Sequence, residues 1–149
     1  MNFKEELYNQ CIEYVKGRMA AAQDAIDAAQ QAAKDDTKSS AGDKYETGRE
    51  MMQQETDRNM AQLAEANKLK IALTHISISA NSTIAEAGSV IITNNGNFYL
   101  SISAGVLTLG EAKYFAVSPA SPIGMMLRGK QAGQQVSLNG KNYTIQEVL

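Results

Sequence analysis

The chain of 149 residues has one cysteine, one histidine and two prolines. It has no apolar run approaching the roughly 20 residues that a membrane-spanning helix needs. A single cysteine, Cys11, excludes an internal disulfide, and its place among apolar neighbours in a helical pattern reads as a small buried thiol. A single histidine, His75, lies in a strand-like pattern without a cysteine or acid at ligand spacing, and the many serines have no nucleophile motif around them. No credible catalytic constellation remains, so the expectation is a protein that is not itself an enzyme. A net charge of −2 supplies no bulk attraction to nucleic acid or anionic lipid, so any basic surface must be local. The opening MNFKEELYNQ lacks a basic segment followed by an apolar core. With no leader and no spanning segment, the expectation is a soluble cytoplasmic protein with no membrane partner.

Both prolines lie in the C-terminal half, and residues 1–70 hold only Gly17, Gly42 and Gly48 as glycines. This stretch is dense in Ala, Gln, Glu, Asp, Lys and Met, which favour helix. Leu7, Cys11, Tyr14 or Val15, Arg18 or Met19, Ala22, Ile26, Ala29 and Ala33 recur at three- and four-residue steps. Tyr45, Met52, Thr56, Asn59 or Met60, Leu63, Ala66 or Asn67 and Ile71 do the same. Each is one narrow seam, the spacing of a coiled coil. The expectation is an antiparallel helical hairpin over 1–72 with a tip at about 35–46, in which Ser39, Ser40 and Ala41 form a loop. At ~1.5 Å per residue, arms of about thirty residues reach some 45 Å. Arg49, Arg58, Lys68 and Lys70 read either as a solvated face of the second arm or as a basic stripe facing RNA or polymerase.

From residue 71 onward the composition turns to β-branched and aromatic residues: IALTHISIS, GSVIITNNGNFYLSIS, GVLTL, KYFAVSP and QQVSLNGKNYTIQEVL. Asn94-Asn95-Gly96 and Asn139-Gly140 are turn signals, the second separating two strands as a hairpin. Ser121 and Pro122 can open one short helix, IGMMLRG, that ends at Gly129. Residues 77–88 either join the sheet or act as a hinge. The fold class is therefore α+β, with 73–149 as a small antiparallel β domain carrying one short helix.

Two stretches carry a family resemblance. Ser121-Pro122-Ile123, Gly129-Lys130, Gly133 and the strands around Val136 and Ile145 are similar to the C-terminal signature of the bacterial GreA/GreB transcription elongation (transcript-cleavage) factors. YETGREMMQQE, with Tyr45, Arg49 and Glu50, looks like the start of that family's second hairpin helix. The resemblance implies a divergent Gre-like regulator with an FKBP-like C-terminal domain. It implies that the hairpin enters the secondary channel of RNA polymerase, with Asp35, Asp36, Arg49, Ser121, Pro122, Ile123, Met126 and Lys130 as partner contacts. Nascent RNA near the tip would be a second partner, and no small-molecule substrate is implied. In the family, a tip acid pair in a Gly-Asp-x-x-Glu pattern helps hold the polymerase's own active-site Mg, so that backtracked RNA is hydrolysed; the factor has no cofactor of its own. Gly42-Asp43-Lys44-Tyr45-Glu46 reproduces that pattern, which makes Asp43 and Glu46 the catalytic and metal-directed candidates. An ungapped alignment on Tyr45 and Arg49 instead puts Lys38 and Ala41 at the acidic positions. Asp43-x-x-Glu46 is also a capping box, which a helix start uses without any chemistry. The alternative is a non-catalytic interaction module, or an anti-cleavage factor using the same shape.

Overall fold

The proline-free half folds as two long helices, α1 (Phe3–Ser39) and α2 (Asp43–Thr74). The computed structural model describes residues 3–39, 43–79 and 81–149, apart from the side chains of 36–39 and 43–47. Glu5 and Glu6 lie in the first turn of α1, where negative charge meets the positive end of the helix dipole. At the end of α2 the Thr74 hydroxyl donates to the Ile71 carbonyl at 2.6 Å. His75 N–H then bonds Ala72 O and Ile76 N–H bonds Leu73 O, both at 3.2 Å, a tightening that closes the last turn.

Two sequence expectations are corrected here. IALTHISIS is not a strand: α2 continues through Thr74, and no strand is assigned to the described residues 75–79. Leu73 lies one heptad beyond Ala66, both are buried, and adding a turn to an existing helix is easier than starting a strand. Ser39 belongs to α1 rather than to a loop, and Ser40 and Ala41 lie outside the described residues.

The chain divides into two compact units, residues 15–70 and residues 1–14 with 71–149. In the first, Val15, Ala22 and Ile26 of α1 and Ala66 of α2 are buried. The Arg18 guanidinium donates to Gln62 Oε1 at 3.2 Å. Met19, Gln23 and Ile26 share a shallow groove with Met60, Leu63 and Asn67. On α2, Met52, Thr56, Asn59, Leu63 and Ala66 follow alternating four- and three-residue steps, and all are half-buried or buried.

The second unit is built on a six-stranded sheet. Its strands are β1 (Val90–Thr93), β2 (Gly96–Leu100), β3 (Gly105–Leu109), β4 (Ala112–Val117), β5 (Gln135–Leu138) and β6 (Lys141–Val148), in the order β3-β4-β2-β1-β6-β5. The class is α+β as expected, but the wholly antiparallel sheet expected from sequence is corrected: β2 pairs with β4 in parallel, a contact between separated segments that no turn signal records, and the sheet is mixed. Asn139 and Gly140 both take positive φ, 52° and 81°, as a two-residue type I′ turn between β5 and β6 requires. A short helix, α3 (Pro122–Leu127), lies between β4 and β5.

Strand alternation gives the sheet two apolar faces. Over one lies the start of α1: Leu7 and Cys11 are fully buried, and the Phe3 ring is 6.4 Å from that of Tyr114. Tyr8 donates to Leu73 O at 3.0 Å, and the Gln10 amide donates to Thr108 O at 2.8 Å. The other face holds Ile91, Phe98, Leu100, Val136 and Ile145, closed by Leu127 of α3 and by Ala85. Ala85 is held there by two backbone bonds of 2.8 Å, to Lys130 O and from Gly129 N. Burying a side chain such as Leu127 contributes about 1.5–3 kcal/mol, and Leu127→Ala would cost about 2–5 kcal/mol. Among the described residues no helix is long and apolar enough to cross a membrane.

Candidate functional site

Two regions carry the predicted site residues, one in each unit. In the helical unit, Asp35 is exposed near the end of α1, where it accepts from the Gln31 amide at 3.4 Å. Arg49 is exposed in the second turn of α2. Asp43 and Glu46 fall in the first turn of α2, and Asp36 near the end of α1, but the side chains of all three lie outside the described residues. Among the described residues no group of three His, Cys, Asp or Glu side chains stands together.

In the sheet unit, Ser121, Pro122, Ile123 and Met126 are brought together on α3, with Lys130 just beyond it. Ser121 takes an extended backbone (φ −68°, ψ 159°), and its hydroxyl accepts from the Gly124 N–H at 3.1 Å. The same hydroxyl donates to Ser118 O at 2.6 Å, so it fixes both the helix start and the turn entering it. Pro122 sits at the first helical position, where its missing N–H is not needed. Gly124 is held tightly, since a Cβ there would lie 2.0 Å from Ser118 O.

The cap orients the helix, and the orientation separates two kinds of side chain. Ile123 and Met126 are partly buried against the core cluster, where they support α3. Lys130 is half-buried, and its backbone carbonyl holds Ala85. The outward face is Pro122, Met125 and Arg128, all exposed, with Met125 at 66%. Met125 and Arg128 were missed from sequence. The signal was available in the three-residue steps from Pro122 to Met125 to Arg128, which place them on one side of a short helix.

The perturbed ionisable groups lie elsewhere in this unit, under α1. Burial pushes the Cys11 thiol up, and its contact with the Ser101 hydroxyl offsets this in part. Burial, with Cys11 and Tyr8 nearby, raises the Tyr99 phenol, whose hydroxyl is buried without a hydrogen-bond partner. Burial lowers Lys4, and the charge of Glu86 opposes that.

The fold and site define an α+β protein with a two-helix unit and an α3-capped sheet unit. No protein-family model matches the chain, and no curated protein matches it significantly.

Proposed function

We propose that the chain is a Gre-like regulator of RNA polymerase, in which α1 and α2 form an antiparallel coiled-coil hairpin that enters the secondary channel. The sheet unit, on this reading FKBP-like, docks outside the channel through the exposed side of α3. The observation that carries the reading is that the Ser121-Pro122 segment is a working helix cap. The residues behind the resemblance thus act together, opening α3 and turning its Pro122–Met125–Arg128 side outward.

Two further features support it. The helices end at Ser39 and begin again at Asp43, so the connection is short. Residues 15–39 alone run about 37 Å at the helical rise, a useful reach for a probe. The α2 seam keeps strict heptad steps from Met52 to Ala66, the spacing of a helix paired with another along one narrow stripe.

In this account the chain performs no reaction alone. Asp43 and Glu46 would offer carboxylate oxygens to the polymerase's own active-site magnesium, a hard cation that prefers such ligands. Asp35 and Arg49, both exposed, would contact the channel wall. The test is retention of the full chain on immobilised core RNA polymerase. Saturable retention is expected; its absence at micromolar concentrations would overturn the reading.

A further inference from the structure

Beside α3, the same sheet face continues as a row of aromatic rings that emerges from the core at Phe115. Phe115 of β4 pairs in parallel register with Phe98 of β2, their ring centroids 5.7 Å apart at 34°. On the far side of Phe98 the Tyr143 ring of β6 stands edge-on at 5.7 Å and 75°. Gly96 makes room for this row: a Cβ there would lie 3.3 Å from Phe115 Cε2 and 3.8 Å from Phe98 Cζ, and its φ is +124°. Phe98 is buried, but Phe115 stays 41% exposed, and Val106, its partner on β3, 52%. Tyr143 is half-buried.

The charges around the strip favour one kind of occupant. Lys113 lies two residues before Phe115 and Lys141 two before Tyr143, so alternation puts both on the aromatic face, and both are exposed. None of the strand residues sharing that face is acidic; Glu111 lies in the turn before β4, and Glu13 of α1 shares a groove with Val106 at the β3 edge, away from Tyr143 and Lys141. An apolar protein surface would have to desolvate the two lysines, and a simple anion would leave the rings unused. A chain of flat bases joined by phosphates uses both: bases stack on exposed rings while cations track the backbone. A duplex keeps its bases stacked on one another and cannot use the rings. Thr108, exposed and in register with Lys113, adds to the same face a hydroxyl of the kind that pairs with a ribose 2′-OH. We propose that this face of the sheet, centred on Phe115 and Tyr143 and flanked by Lys113 and Lys141, binds single-stranded RNA. The inference goes beyond the polymerase reading and does not depend on it.

The test is fluorescence anisotropy of a short labelled oligouridylate titrated with the full chain, without polymerase. Wild type should bind saturably, and Phe115→Leu, which keeps apolar volume but removes the ring, should weaken binding about tenfold. Lys113→Gln with Lys141→Gln should lower the slope of log affinity against log salt by about 1.4, the value for two phosphate contacts on a single strand. Those lysines are exposed, so the double variant keeps its melting temperature and decides the matter even if Phe115→Leu is poorly folded. Lys68→Gln with Lys70→Gln, on α2, should change nothing. The proposal is overturned by absence of saturable binding, by unchanged affinity in the lysine pair, or by equal binding of duplex RNA or oligothymidylate. Uptake of an apolar dye displaced by a hydrophobic peptide but not by RNA would also overturn it, marking a protein-docking patch.

Discussion

The Sγ of Cys11, in α1, lies 3.6 Å from the Oγ of Ser101, which follows β2, and both residues are buried. The contact joins residues 90 positions apart and ties the start of α1 to the sheet. Burial holds the thiol in its protonated form, and only the thiolate is a strong nucleophile. Cys11 should therefore react with a disulfide reagent at neutral pH at least a hundredfold more slowly in the native protein than in urea. Equal rates would show that α1 does not stay on the sheet.

Tyr99 predicts a pH dependence. Its folded pKa is raised, so the neutral phenol is favoured in the native state. The stability linked to it is fully present below the unfolded pKa of about 10 and is lost as pH rises from there through the folded value. Tyr99→Phe removes both the titration and a buried hydroxyl without a partner. The variant should match or exceed wild-type stability at neutral pH by up to about 1 kcal/mol, and should lose less above about pH 10. Lys4, lowered by burial, pulls the other way, but it is present in both proteins and drops out of the difference. Urea midpoints measured across the alkaline range check this.

The α3 cap predicts an ordering of two small substitutions. Ser121→Ala removes both the capping bond from Gly124 N–H and the bond to Ser118 O, and should cost about 1–2 kcal/mol. Gly124→Ala forces a methyl to within 2.0 Å of Ser118 O and should cost more, because the neighbour is backbone and must move. Thermal melts of the two variants give the ordering directly.

On α3 the structure distinguishes three neighbouring apolar residues. Met125→Asp changes an exposed side chain and should leave the melting temperature nearly unchanged while weakening retention by core polymerase at least fivefold. Ile123→Asp and Met126→Asp put charge against the core cluster and should lower stability by several kcal/mol, whatever their effect on binding. Melting curves and polymerase retention for all three variants separate docking from support.

Much of this fold is legible residue by residue. Asn139-Gly140 is a turn because both positions need positive φ, and Ser121-Pro122 opens a helix because hydroxyl and ring each satisfy a local demand. Such signals are confined to a few neighbouring residues. At Ile71–Thr74 the β-branched composition points to a strand while the heptad step to Leu73 points to helix, and the burial of Leu73 decides for helix. The seam at Leu7 and Cys11 records an apolar stripe without naming its cover, which is the sheet. The aromatic strip had no local sign: it depends on the parallel pairing of β2 with β4, a contact between distant segments. Nor does composition tell Met125 from Met126, which differ only in the direction α3 points them.

The central claim is most directly tested by the rate of transcript cleavage in backtracked complexes of core RNA polymerase, with and without the full chain. The wild-type protein should change that rate. Asp43→Asn with Glu46→Gln, retained by the polymerase as before, should lose the effect, because an amide is a far weaker ligand for a hard divalent ion than a carboxylate. A cleavage rate that saturating wild-type protein leaves unchanged would contradict the claim.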